Sequence, residues 1–277
     1  MPTATLDGYQ IHYVTAGSPA NPPLLLIHGW VSYLGVWRQT IAALSDSFYC
    51  VALDLLGFGD SDKPRAGDYS LPAQAKRVVA LADNLGLEKF TLIGHSMGGQ
   101  IATYIAAVTA PERVTRLVSV AGVVTGVLMP IVRNRSYPMV YLGAYLPIMY
   151  TMIQPLLNQR WYANFVYRTW FYRMDNPPFE QWREDRERAL PPQHHWSIYQ
   201  TGLAIRALDL TPHLAKIRVP ALAIFGEFDG TVPVGDGEIF KREIPGSQLV
   251  IIPACGHFPM YEKSDAYLSA LKPFLKI

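Results

Sequence analysis

Residues 94–99 read Gly-His-Ser-Met-Gly-Gly, and they stand between two segments of different periodicity. Before them, Phe90-Thr91-Leu92-Ile93 has the character of a strand; after them, Gln100 to Val108 has helical spacing. Alone, a G-x-S-x-G pattern is only a glycine-rich start to a helix. Between a strand and a helix it constrains the fold, because the serine must sit on a sharp turn with its hydroxyl exposed. Gly94 and Gly98 leave room for that turn where a Cβ would clash. The helix start beneath supplies unpaired backbone N–H groups and the positive end of a dipole. Both suit an oxyanion formed during acyl transfer.

The rest of the chain supplies the sheet that such a turn needs. Ile11 to Val14 reads as a short strand ending at Gly17. Leu24-Leu25-Leu26-Ile27 and Tyr49-Cys50-Val51-Ala52-Leu53 are continuous apolar runs, the pattern of strands buried on both faces. Val36 to Leu44 and Pro72 to Leu85 read as helices, the second closed by Gly86. Val114 to Val120 is again a strand. This alternation predicts an α/β fold with a mostly parallel central sheet flanked by helices. The rhythm stops after Ala121-Gly122 and resumes at Pro220 to Phe225. It continues through Leu249 to Ile252 and ends with a helix from Ser264 to Leu275. We therefore expect a core domain of residues 1–121 and 206–277, with residues 122–205 inserted as a mainly helical cap.

Two further loops follow strands. Phe225-Gly226-Glu227-Phe228-Asp229-Gly230-Thr231-Val232-Pro233 follows the strand that starts at Pro220, and Pro253-Ala254-Cys255-Gly256-His257-Phe258-Pro259 follows Leu249 to Ile252. With the turn at Ser96, they place serine, acid and histidine in one chain order. In these motifs the sequence resembles the α/β-hydrolase superfamily, in its serine-nucleophile esterase and lipase-like branch, over residues 1–121 and 215–277. The resemblance implies that Ser96 is the nucleophile and His257 the general base. Asp229 is then the acid that accepts the histidine's Nδ1–H and fixes its tautomer, with Glu227 as the rival carboxylate. Some relatives carry the acid after the strand at 114–120, but Ala121-Gly122-Val123-Val124 offers no carboxylate there. Among the seven histidines, His28 and His95 read as structural. His12 and His213 lie in no motif, and His194-His195 reads as a cap surface pair.

The same resemblance implies an oxyanion hole made by the backbone N–H groups of Trp30, after His28-Gly29, and of Met97, after the serine. The Trp30 indole then either lines the pocket or simply packs. Asp54-Leu55-Leu56-Gly57-Phe58-Gly59-Asp60-Ser61 resembles the family's D-x-x-G-x-G-x-S loop and reads as structural, with Asp54 bonding local backbone.

The insertion bears on substrate. No charged residue occurs from Ser136 to Gln159, where Tyr137, Tyr141, Tyr145 and Met149 stand among leucine, isoleucine and methionine. Three prolines, at 138, 147 and 155, argue against a straight membrane span. Three readings stay open: a lid roofing an apolar pocket, the packed core of the cap, and an interfacial patch flanked by Arg133, Arg135 and Arg160 that makes transient contact with lipid. On the first, His28, Tyr137, Tyr141, Tyr145, Met149 and Phe258 are candidate pocket residues. Phe179 to Leu190 is highly charged and reads as a solvated helix face.

Half of the chain is hydrophobic, 17% is charged and the formal net charge is +2, which excludes a disordered chain. No dense run of Lys or Arg suggests a nucleic-acid partner. Two cysteines without ligand spacing and an N-terminus without a basic start and apolar run suggest a reduced, cytoplasmic protein. The expected activity is hydrolysis of small to medium hydrophobic carboxylic esters through an acyl-serine, with no cofactor and no metal. The open alternatives are a C–C bond hydrolase, a lactonase or a perhydrolase using the same triad, and a non-catalytic receptor on the same fold. Epoxide hydrolases and dehalogenases resemble the architecture but use an aspartate where Ser96 stands, and Val31 replaces the proline of the epoxide-type His-Gly-x-Pro.

Overall fold

A computed structural model describes residues 2–157, 159–173, 184, 187–188 and 194–277 of the protein. Eight strands form one sheet: β1 (Thr3–Leu6), β2 (Tyr9–Ala16), β3 (Pro23–Ile27), β4 (Tyr49–Leu53), β5 (Phe90–His95), β6 (Val114–Val120), β7 (Ala221–Gly226) and β8 (Gln248–Ile252). Their spatial order is β1-β2-β4-β3-β5-β6-β7-β8. The strands β4-β3-β5-β6-β7-β8 are parallel, and the β1–β2 hairpin pairs antiparallel onto β4. The continuous apolar runs lie at the centre. Leu24 to Ile27 and the whole of β5 are buried, as strands covered on both faces must be.

Helices α1 (Arg38–Leu44), α2 (Leu71–Asn84) and α3 (Met97–Tyr104) connect the first parallel strands. Ser70 caps α2 by accepting the Ala73 N–H, and Pro72 sits in its first turn. The helix expected at 100–108 begins earlier, directly after Ser96, and its last turn widens into a π-helical segment, Ile105–Thr109. Between β6 and β7 the described residues form helices only: α4 (Tyr137–Tyr145), α5 (Pro147–Leu157), α6 (Arg160–Trp170), α7 (His195–Ala207) and the short α8 (Thr211–Leu214). The charged stretch Phe179 to Leu190 falls almost wholly outside the described residues. Three C-terminal helices follow: α9 (Gly235–Glu243), α10 (Pro259–Glu262) and α11 (Ser264–Leu275). The sequence reading did not anticipate β1 or α9. β1 is only four residues long, and α9 begins Gly-Asp-Gly, which reads as a loop.

The Asp54 loop shows why its residue types recur together. The buried carboxylate accepts the Leu34 N–H through Oδ1, and the Asp60 N–H and the His12 Nδ1–H through Oδ2. Burial works against its ionisation, but these hydrogen bonds, that from His12 foremost, hold Asp54 below the ordinary carboxylate range. Gly57 and Gly59 take positive φ, and a Cβ on Gly59 would fall 2.1 Å from the Asp54 carboxyl carbon. His12, for which the sequence offered no role, is thus a structural partner of Asp54.

A second buried carboxylate fixes the point where the chain leaves the sheet. Asp236, at the start of α9, accepts the Val124 N–H at 2.6 Å, the Thr125 N–H at 3.2 Å and the Thr125 hydroxyl at 2.9 Å. Burial raises its pKa despite these donors. Asp236→Ala strands the buried Val124 N–H without an acceptor. We expect a loss of about 1–3 kcal/mol, read as a lower urea midpoint at unchanged slope.

Candidate active site

Ser96 occupies the single residue between β5 and α3, with φ 55° and ψ −118°, a conformation that L-residues avoid. Two close approaches make the turn. A Cβ on Gly94 would lie 2.1 Å from the Gly98 carbonyl oxygen, and one on Gly98 would lie 2.1 Å from the Ile27 carbonyl oxygen. The turn is tied to the sheet by the Ser96 N–H, which donates to the Val120 carbonyl at 2.9 Å.

Beside it runs the segment after β3. A Cβ on Gly29 would approach the Ser96 Cβ to 3.0 Å, so this backbone passes directly against the serine. The next residue, Val31, has φ 55°, an uncommon conformation for a β-branched side chain. Among the described residues, neither the Trp30 nor the Met97 backbone N–H is given to a protein acceptor. His28 holds this segment from below. Its Nδ1–H donates to the Gly29 carbonyl at 2.7 Å, and its Nε2 accepts the Leu55 N–H at 3.0 Å. Burial lowers its pKa, which keeps the ring neutral and able to accept.

The loops after β7 and β8 bring the acid to the histidine. His257 Nδ1–H donates to Asp229 Oδ2 at 2.8 Å, and Asp229 Oδ1 accepts the backbone N–H groups of Thr231 and Val232 at 2.8 and 2.9 Å. The rival carboxylate, Glu227, turns away and accepts the Ala254 N–H. Three contacts hold the histidine loop. The His257 N–H donates to the Trp170 carbonyl at the end of α6, at 2.6 Å. The His95 Nε2–H donates to the His257 carbonyl at 2.9 Å. The Gly256 N–H donates to Glu262 Oε2 at 2.6 Å. Burial and the adjacent His257 ring push the His95 pKa well down, so His95 is neutral and serves as a fixed donor.

Ser96 and His257 face one cavity of about 120 Å³, lined also by Trp30, Met139, Tyr150 and Phe258. No hydrogen bond joins the serine to the histidine directly. Trp30 is locked in place, its indole N–H donating to the Ile198 carbonyl at 2.7 Å and its ring stacking on Tyr137. The grouping of His12, Asp54 and Asp60 could offer three metal-ligand atoms, but its members are engaged with one another and with Arg188.

Several candidate pocket residues lie elsewhere. His28 is buried and does not line the cavity. Tyr137 lies behind Trp30 and gives its hydroxyl to the Gly202 carbonyl at 2.6 Å; burial pushes this phenol up to about 12. Tyr141, Tyr145 and Met149 are about half exposed, on the outer surface of α4 and α5, where the two tyrosines cluster with Tyr199. Tyr150, Thr231 and His195, none of them a pocket candidate from the sequence, also line the cavity. His194 and His195 are both buried, which corrects their reading as a surface pair. Tyr150 stands in the same uniformly apolar stretch as its exposed neighbours, and only packing separates them.

A family model described as alpha/beta hydrolase fold matches residues 22–264. An uncharacterised hydrolase of Bacillus subtilis, YugF, is 28% identical over 98% of this chain and 96% of its own length. A pimeloyl-[acyl-carrier protein] methyl ester esterase of Nitrosomonas europaea is 29% identical over 94% of this chain and 97% of its own. Among solved structures, a membrane phospholipase A described as a bacterial virulence factor superposes with TM-score 0.80. It is 30% identical, covering 99% of this chain and 85% of its own.

The turn has no room for added atoms. Gly94→Ala and Gly98→Ala each set a methyl group against backbone, and we expect each to cost about 1–3 kcal/mol or to prevent folding. Thermal unfolding followed by circular dichroism reads the loss, with Gly235→Ala, where the added carbon meets nothing within 4 Å, as the control.

Proposed function

On the premise that this chain belongs to the α/β-hydrolase fold family, we propose that it hydrolyses carboxylic esters through an acyl-serine formed on Ser96. One observation carries the reading: His257, oriented by Asp229 at 2.8 Å, opens onto the same cavity as a serine held in a strained turn. Strain of this kind persists only where its surroundings impose it, and it is characteristic of reacting positions.

In the first half-reaction Ser96 Oγ attacks the ester carbonyl carbon while His257 Nε2 takes its proton. The tetrahedral oxygen receives the Trp30 and Met97 N–H groups, each donor contributing about 2.7–4 kcal/mol. Asp229 stabilises the imidazolium, which then gives its proton to the departing alcohol. Water attacks the acyl-serine with His257 again as base, releasing the carboxylic acid and restoring the serine. The serine–histidine bond is often long in a free enzyme and tightens when substrate arrives. The steps as written use neither a metal nor a cofactor.

Residues 122–205 act as a cap in this reading. They contribute Met139 and Tyr150 to the cavity, and the Trp170 carbonyl to the histidine loop. The cavity is somewhat smaller than the ~150 Å³ apolar void that accepts benzene. That favours esters whose acyl group is small to medium and hydrophobic. The esterase among the relatives supports the ester class.

Purified protein should turn over p-nitrophenyl esters and label rapidly with a fluorophosphonate. Ser96→Ala should lose at least about 10⁴-fold in kcat/KM and all labelling. Asp229→Asn should lose about 10⁴-fold in kcat, because the histidine tautomer is no longer fixed. Undiminished turnover by Ser96→Ala would overturn the assignment.

A further inference from the structure

The outer face of α5 is apolar and uncovered. Ile148 is 78% exposed, Met152 76%, Leu156 60% and Met149 53%. At 3.6 residues per turn these four positions fall within an arc of about 100°. Tyr150, on the opposite side of the same helix, is buried and lines the cavity. Trp161, Tyr141 and Tyr145 are exposed on the neighbouring helices.

The charges of the chain segment that carries this face are of one sign. From Leu117 to Met174 the sequence contains no Asp, Glu or Lys, and its charged residues are Arg133, Arg135, Arg160, Arg168 and Arg173. Of these, Arg133, Arg160, Arg168 and Arg173 are exposed. A bare apolar stripe, with exposed aromatics on the neighbouring helices and only arginines as charges in the segment, has the chemistry of a surface that enters the headgroup region of an anionic bilayer. No described helix is long and apolar enough to cross a membrane, so the contact would lie in the interfacial plane. A second copy of the chain fits less well. A two-fold contact through this stripe would bring the same arginines together with no acidic residue of the segment between them.

We propose that α5 docks the protein on a bilayer containing anionic phospholipid, through Ile148, Met149, Met152 and Leu156, with the exposed arginines of the segment on the headgroups. The helix then separates lipid on one side from the cavity on the other. Esters dissolved in the bilayer reach Ser96 past α5 without crossing bulk water. The docking stands on the surface alone, whereas the delivery of substrate rests on the ester-hydrolase reading.

Co-sedimentation with vesicles tests it. The full chain should bind vesicles of phosphatidylcholine mixed with phosphatidylglycerol, more weakly vesicles of phosphatidylcholine alone, and less as salt rises. The double variant Ile148→Glu, Met152→Glu should lose about tenfold or more in binding while hydrolysing soluble p-nitrophenyl acetate like the parent and melting at the same temperature. Arg133→Glu with Arg168→Glu should lower binding to the anionic vesicles selectively. Failure of the parent to bind anionic vesicles overturns the proposal, as does a dimer that the double variant dissociates in the absence of vesicle binding. Equal binding to both vesicle types overturns the role of the arginines. Ester hydrolysis without vesicle binding leaves the ester reading intact, and vesicle binding without hydrolysis of any ester defeats that reading while sustaining the docking.

Discussion

The backbone turns from β5 into α3 within one residue, and it does so because Gly94 and Gly98 place no side-chain atom between strand, helix and the neighbouring β3. This close approach is the constraint on which the site depends. It forces Ser96 into the left-handed region at the carboxyl end of β5, where the residue lines the cavity. It also stacks the helix start beneath the serine, so that the Met97 N–H has no partner within α3. The cost of the strained residue is borne by packing on every side: β5 is buried throughout, and the segment at Gly29 presses against the serine.

A parallel sheet then gathers the other groups. Each strand of such a sheet ends on the same edge, so loops distant in sequence meet there. The Asp229 loop closes β7 and the His257 loop closes β8. They are joined through the Nδ1–Oδ2 bond and through backbone bonds such as the Phe228 N–H to the Cys255 carbonyl. The histidine loop is held by core and insertion together: His95 from the strand below, Glu262 from α10, and the Trp170 carbonyl from α6. A Cβ on Gly256 would collide with that carbonyl at 2.4 Å, so the glycine before the histidine is what lets the insertion approach. The position of the proposed base is therefore coupled to the packing of the helices above it.

The central strands were legible because burial on both faces leaves a plain mark, an unbroken run of apolar residues. Leu24 to Ile27 and Tyr49 to Leu53 are such runs, and both lie in strands. The helix at Gly235–Glu243 left no such mark. Its buried positions are Asp236, Gly237 and Phe240, a face that apolar periodicity does not reveal. The pocket was hardest to read, for a related reason. In α4 and α5 both faces are apolar, one because it meets the cavity and the insertion's own core, the other because it is bare surface. Composition cannot separate Tyr150, which is enclosed, from Tyr145, which is not.

By itself the sequence determined the sheet, the sharp turn at Ser96 and the order in which serine, aspartate and histidine appear. These are local properties, set by backbone sterics at glycine and by side-chain burial along single strands. Only the tertiary structure decided which carboxylate meets His257: Asp229 accepts the Nδ1–H, and Glu227 accepts the Ala254 N–H instead. It alone paired His12 with Asp54, enclosed His195, and turned Tyr141 and Met149 outward. Those outcomes depend on contacts between distant segments, such as Ser197 with Gly57, 140 residues apart, and His95 with His257, 162 residues apart. No pattern along the chain encodes where two such surfaces will meet.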